Sequence, residues 1–379
     1  MNRFGEPMAQ TVGVRIAIVG TTASGKSALA ERIATNLGVR GRAAEIVSAD
    51  SMCVYRGMDI GTAKPTPADQ RQWPTHGIDL VDPNQEFSVA EFQRYALGVL
   101  REIEQRGAVA ILVGGTGLYL DAVVNELTMP PQFPVIKQAL IDELANGVRA
   151  QELHARLVVL DPEAATKMEA NNERRIVRAL EVCLGSGRPF SSFGPGLVAA
   201  QGFVGPRVAS DNVDQLRERG EVGKGAGLAP LASPAGSSGS GASWVLCGPT
   251  WARQVLRQRI ADRFSQQLVD GFVDEARRIL DQFGETRSKT ARQALGYREL
   301  WSHLEGECSL EEAVERAILR TGQFAVRQER WFRRDPRINW ISGEALALST
   351  SEGKNRTMND TSTASHSVDE VERMVNLVL

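Results

Sequence analysis

The residues Gly20, Thr21, Thr22, Ala23, Ser24, Gly25, Lys26 and Ser27 match the pattern G-x-x-x-x-G-K-[ST] without a mismatch. Residue types in this arrangement hold phosphate. Glycine lets the backbone curl so that successive N–H groups point inward at phosphate oxygens. Lys26 adds a point charge, and Ser27 offers a hydroxyl to Mg²⁺. A helix opening at Gly25 brings its positive dipole end to the same place. A carboxylate follows at Asp50 in "VSADS", and a hydroxyl at Thr116 in "VGGTG". Motor and switch NTPases usually end a strand in an aspartate for their metal, and Thr116 stands in that place here. Asp50 is therefore the candidate general base, with a turn or helix cap as its structural alternative.

Such groups need a scaffold that presents them together. Val14 to Val19 reads as a buried strand, Gly25 to Leu37 as a helix, Ala44 to Ser48 as a second strand and Ala108 to Val113 as another. From Ser88 to Gly107, apolar residues recur at helical spacing. Alternation of strands and helices predicts an α/β fold with a parallel sheet, and ligands bind at the carboxyl ends of such strands. Asp50 and Ser51 stand at one of those ends. The loop Tyr55 to Pro65, with Arg56, Asp59, Thr62 and Lys64, is polar and contains glycine; as a bare loop it says little, and a solvated turn fits it.

After Val124 the pattern turns wholly helical, over Val135 to Ala145, Ala150 to Leu157 and Asn172 to Leu184. The expected organisation is a core from 1 to 124, a helical insertion over 125–193, and a flexible Gly/Ala/Ser-rich loop over 194–243. Core completion and C-terminal helices follow over 244–342, after a short strand from Ser243 to Cys247, and 343–379 is a mostly disordered tail. Runs such as "ASPAGSSGSGAS" lack the apolar surface to offset ordering the backbone.

Composition sets outer limits. The 379 residues are 42% hydrophobic, enough for a substantial core, and the net charge of −2 requires any nucleic-acid surface to be local. No run is long enough for a membrane span, which predicts a cytoplasmic protein. Cys53, Cys183, Cys247 and Cys308 are far apart, without metal spacing, and read as reduced thiols. Two basic groups satisfy the local requirement. Arg175 and Arg178 share a helix face, beside Arg174. Arg316, Arg320, Arg327, Arg330 and Arg334 fall within about 80° on one helix.

The segments "GTTASGKS", "SADSMCVYRGMDIGTAKP", "HGIDLVDPNQEFSVAEFQ", "LVGGTGLYLDAVV", "NNERRIVRALEV", "ALGYREL" and "AVRQERWFRR" together resemble the tRNA dimethylallyltransferases, the tRNA isopentenyltransferase family. The resemblance extends from Val14 to Ile341. It implies a P-loop NTPase-like core and transfer of a dimethylallyl group from dimethylallyl diphosphate to N6 of the adenosine 3′ of the anticodon. The tRNAs concerned read codons beginning with U. By the same resemblance Gly20 to Ser27 hold the diphosphate, Mg²⁺ sits on Ser27, and Lys26, Asp50 and Thr116 are catalytic. Contacts to tRNA are implied for Asp50, Ser51, Met52, Cys53 and Thr116. They are also implied for Lys137, for Arg174, Arg175, Ile176, Val177 and Arg178, and for Arg298 and Arg327.

Gly322 and Val326 depart from the family's basic pattern. A monomer is expected. A small-molecule or nucleotide kinase, an adenylate isopentenyltransferase and an inactive RNA-binding regulator remain open as alternatives at this point.

Overall fold

The computed structural model describes residues 14–193, 243–344 and 346–347. The loop expected over 194–243 therefore lies outside the described residues except for its last position, as does the expected tail beyond 347. Residues 343–344 and 346–347, counted with that tail, are helical, and Leu346 packs against the core.

The strands are β1 (Val14–Val19), β2 (Ala44–Ser48), β3 (Thr75–His76), β4 (Val109–Gly114), β5 (Ser243–Thr250) and β6 (Asn339–Ser342). They form one parallel sheet in the order β3-β2-β4-β1-β5-β6. The α/β class expected from the alternating pattern is the class observed. Central strands buried on both faces read as unbroken apolar runs. Because successive side chains alternate in direction, β1 sends Ile16 and Ile18 to one face and Ala17 and Val19 to the other. Leu29, Ile33 and Leu37 of α1 (Lys26–Val39) cover the first face. Phe92, Leu100 and Ile103 of α3 (Val89–Gln105) cover the second, with Tyr119, Leu120 and Val123 of α4 (Gly117–Val124). The short α2 (Pro67–Gln72) precedes β3.

The chain divides into two compact units, Met1–Val124 with Ser240–Leu379, and Asn125–Gly239. In the second, α5 (Pro134–Ala145), α6 (Ala150–Leu160), α7 (Pro162–Thr166) and α8 (Glu173–Ser186) enclose a core of Leu140, Leu153, Leu157, Ile176 and Leu180.

The first unit continues after β5 with α9 (Arg253–Val269), α10 (Phe272–Phe283), α11 (Tyr297–Leu304) and α12 (Leu310–Phe332). Phe264, Phe272, Tyr297, Leu300 and Trp301 from these helices pack around Val54, Tyr55 and Met58. The loop from Tyr55 to Pro65 is thus no solvated turn. Glu275 of α10, 1% exposed, accepts hydrogen bonds from the N–H groups of Asp59, Ile60 and Gly61 at 2.9 to 3.1 Å and from the Tyr297 hydroxyl. Lys64 donates to Tyr55 O at 2.6 Å and to Asp59 and Asp79 at 2.7 Å. A Cβ at Gly61 would lie 2.3 Å from the Phe272 ring, so only glycine fits there.

None of the four cysteines forms a disulfide. No helix among the described residues is long and apolar enough to cross a membrane.

Candidate active site

The turn between β1 and α1 is shaped by backbone that ordinary residues avoid. Gly25 has φ 91° and even Ala23 has φ 58°. Its carbonyl groups are tied back by side chains. Lys26 Nζ donates to Thr21 O at 2.6 Å, as does Ser24 Oγ at 2.8 Å. Arg259 Nε donates to Ala23 O at 2.9 Å and Trp251 Nε1 to Ser24 O at 2.8 Å, with the Arg259 guanidinium 4.2 Å from the Trp251 ring centre. Of the turn's amides, Thr22 N donates to Gln328 Oε1 at 2.8 Å and Ser24 N to Thr21 O at 3.4 Å. The N–H groups at the start of α1 have no partner earlier in the helix, and no side chain caps them. That is the arrangement in which an anion completes a helix N-terminus.

Asp50 and Thr116 meet this turn across the carboxyl edge of the sheet. Asp50 Oδ1 accepts from Met52 N at 2.8 Å, so the turn-capping alternative holds, and it also fixes the carboxylate's direction. Thr116 Oγ1 accepts from Ser51 N at 3.2 Å and lies 3.4 Å from Ser51 Oγ. A cavity of about 310 Å³ is bounded by Thr22, Lys26, Ser27, Asp50, Gly115 and Arg263, among others. Burial lowers the Lys26 pKa to about 8, opposed by the nearby Asp50 and reinforced by Arg263. Arg263, also lowered by burial, reaches Thr22 Oγ1 at 3.5 Å. Two desolvated cations against one carboxylate make a pocket that favours an anionic ligand. Burial and Asp50 push the Cys53 thiol far up, which keeps it from acting as a nucleophile.

A metal ion fits the donor set. Ser27 and Asp50 line the same cavity, while no group of three His, Cys, Asp or Glu among the described residues is arranged for metal. Mg²⁺ keeps several waters and takes few protein oxygens together with phosphate oxygens, so such a sparse set suffices.

The family model described as IPP transferase matches residues 53–219 and 225–335. The chain belongs to the IPP transferase family. A tRNA dimethylallyltransferase of Thermobifida fusca is 40% identical over 334 residues, covering 88% of this chain and 91% of the relative. That of Geobacter metallireducens is 38% identical over 335 residues, covering 88% and 94%. The crystal structure of the full-length tRNA isopentenylpyrophosphate transferase from Bacillus halodurans shares 30% identity with a TM-score of 0.55, covering 96% of this chain and 99% of that one. A eukaryotic dimethylallyltransferase acting on tRNA has the same fold at 21% identity, with a TM-score of 0.65.

Within this member of the IPP transferase family, the basic residues have several different surroundings. Arg174 and Arg175 are exposed in the first turn of α8, and Lys137 is exposed on α5. Arg178 is instead drawn into the insertion's own fold, donating to the carbonyls of Pro130 and Pro131 and pairing with buried Glu181 at 2.9 Å. Ile176 and Val177 are buried in the insertion core, which leaves their side chains no access to RNA. Arg298 and Arg327 are exposed, Arg327 lying 5.7 Å from the Phe324 ring. The arginine stripe is shorter than its spacing predicts. Arg320 pairs with Glu299, itself 2% exposed, and Arg334 lies past the end of α12. On the same helix Glu329 accepts from Arg333, and Glu312 forms the capping box with Ser309.

Trp251, Arg259, Arg263 and Gln328 escaped the sequence reading. Each reaches the phosphate-type loop from more than 220 positions away. The IPP transferase pattern around "RQERW" held the one available signal, the Gln beside Arg327.

Proposed function

We propose that this chain transfers the dimethylallyl group of dimethylallyl diphosphate to N6 of the adenosine 3′ of the anticodon in tRNAs that read codons beginning with U. The products are N6-dimethylallyladenosine and diphosphate. The observation that carries this reading is one cavity bounded by both an anion-binding turn and a carboxylate at the end of β2. The family relationship supplies the reaction class.

In this reading the turn from Gly20 to Ser27, through the N–H groups that open α1, and the Lys26 ammonium receive the diphosphate, and their fixed dipoles favour the charge that builds as the allylic C–O bond breaks. Ser27 would hold Mg²⁺, which would add positive charge near the diphosphate. The adenine N6 lone pair forms the new bond to C1, and Asp50 takes the proton that N6 sheds. Thr116 and Ser51, already bonded to each other, offer hydroxyls to the adenine edge or the adjoining diphosphate. An adenine stacked in an anticodon loop must turn outward to reach them. Arg174, Arg175, Lys137, Arg298 and Arg327 are proposed contacts for the RNA backbone. Met52 and Cys53 would form part of the wall beside the base. The enzyme is proposed to act as a cytoplasmic monomer.

The test incubates purified chain and Mg²⁺ with labelled dimethylallyl diphosphate and either unmodified tRNA or AMP. Label recovered as N6-dimethylallyladenosine from tRNA is expected, and label on AMP alone would transfer the chain to the adenylate isopentenyltransferases. Asp50→Ala is expected to lower turnover by about 10²-fold or more with tRNA affinity nearly unchanged.

A further inference from the structure

Gln328 has no part in the chemistry above, yet its side chain sits among the groups that perform it. It is 6% exposed on α12, and both ends of its amide are engaged by backbone of the site. Oε1 accepts from Thr22 N at 2.8 Å, and Nε2 donates to Gly115 O at 2.7 Å. Thr22 lies in the turn that holds the diphosphate. Gly115 precedes Thr116, whose hydroxyl accepts from Ser51 N next to Asp50. One amide therefore spans the half of the site that receives the leaving group and the half that receives the nucleophile.

The fit has little slack. A Cβ on Gly115 would stand 2.4 Å from Gln328 Nε2 and 3.2 Å from Gly20 O. The chemistry of the bridge is also specific, because one end must accept from an N–H while the other donates to a carbonyl. A primary amide offers both at neutral charge, whereas a carboxylate only accepts and an ammonium only donates. An apolar side chain of the same length would leave a backbone donor and a backbone acceptor without partners.

We infer that Gln328 is a positioning residue for the transfer step, fixing the diphosphate turn against the Gly115 and Thr116 turn and so setting the separation of leaving group and nucleophile. The inference rests on the reaction proposed above. Each substrate keeps its own contacts when the bridge is lost, so the effect falls on kcat rather than on either KM. A misplacement of the order of 1 Å between reacting groups is enough to lower a rate about 10²-fold.

The experiment measures steady-state transfer to tRNA by the full chain and by Gln328→Met, Gln328→Ala, Gly115→Ala and the Gly115→Ala/Gln328→Ala double variant, with melting temperatures recorded for each. Gln328→Met keeps the side chain's length and removes both hydrogen bonds. It is expected to lower kcat about 10²-fold while both KM values stay within about threefold. Gly115→Ala, which pushes the amide aside, is expected to match it. The double variant should be no slower than Gln328→Ala alone, because the shortened side chain vacates the space the new methyl needs. A Gln328→Met enzyme with near-normal kcat, a loss carried by KM, or losses that multiply in the double variant would each overturn the inference. Wild-type chain that transfers no label to tRNA overturns the proposed reaction and the inference with it. Wild-type transfer combined with unaffected variants overturns the inference alone.

Discussion

Replacing Glu275 with Gln changes one buried oxygen to an NH₂ group and tests whether this carboxylate organises the loop that walls the cavity. The carboxylate receives the N–H groups of Asp59, Ile60 and Gly61 and the Tyr297 hydroxyl, all donors. The amide in Glu275→Gln keeps one oxygen and turns two N–H bonds toward groups that also donate. A hydrogen bond to a charged group contributes about 1.5 to 3 kcal/mol. Losing two of them amounts to about 3 to 6 kcal/mol, partly because unpaired donors remain buried. For a unit of this size that is a fall in Tm of roughly 6 to 24 °C. Tyr297→Phe removes a single donor and is expected to cost about 1.5 to 3 kcal/mol. The assay is thermal and urea denaturation, with the KM for dimethylallyl diphosphate measured well below the melting range. Because Thr62 and Lys64 line the cavity from the same loop, that KM is expected to rise in Glu275→Gln. A Glu275→Gln protein melting within about 2 °C of wild type would refute the reasoning, since even one lost bond should exceed that.

Two further outcomes separate charge from architecture. Burial holds Lys26 near pKa 8, so its ammonium is charged below that pH and neutral above it. Pyrophosphate affinity relative to Lys26→Arg, whose guanidinium stays charged, is therefore expected to fall as pH rises through 8; a ratio constant across that range would remove Lys26 from the binding of charge. In the insertion, Arg174→Ala/Arg175→Ala is expected to flatten the slope of log K for tRNA against log salt by about 1 to 2 while leaving Tm unchanged. Arg178→Ala should do the reverse, lowering Tm because it frees Glu181 and the Pro130 and Pro131 carbonyls; equal salt effects from both would contradict the separate roles.

That the glycine turn and Asp50 would meet was legible because each is marked locally, and both line one cavity. Gly20 to Ser27 are contiguous, and Asp50 closes an apolar run whose end is visible in the sequence. β3 was not legible, since Thr75–His76 is too short to show a period, and its register is fixed by pairing with β2. β6 was missed for a related reason. Asn339–Ser342 follows charged residues and becomes a strand through its pairing with β5. Glu275 and Glu299 look like surface charges on amphipathic helices, and only the tertiary fold shows them buried with donors around them. Arg320 was grouped with the exposed arginines because helical spacing reports a face and not what packs against it. Among the insertion's described helices, α5, α6 and α8 were read to within a few residues, whereas α7, five residues long, was too short to show a period, and helical spacing could not show that Arg178 folds back on Pro130.

The pairing of β1 with β5 also bears on how the molecule is made. Val14 pairs with Ser243, so the strand leading into the phosphate turn waits for a neighbour synthesised much later. At ~5 to 20 residues per second on the ribosome, that wait is on the order of 10 to 50 s. The side chains that grip the turn, from Trp251 to Gln328, emerge later still. A nascent chain carrying the first 240 residues therefore has the signature of a phosphate site without its geometry, which is completed only once Gln328 has emerged. Pairing across so long a stretch also predicts slow refolding from denaturant, and an exposed flank of β1 for chaperones to guard in the meantime.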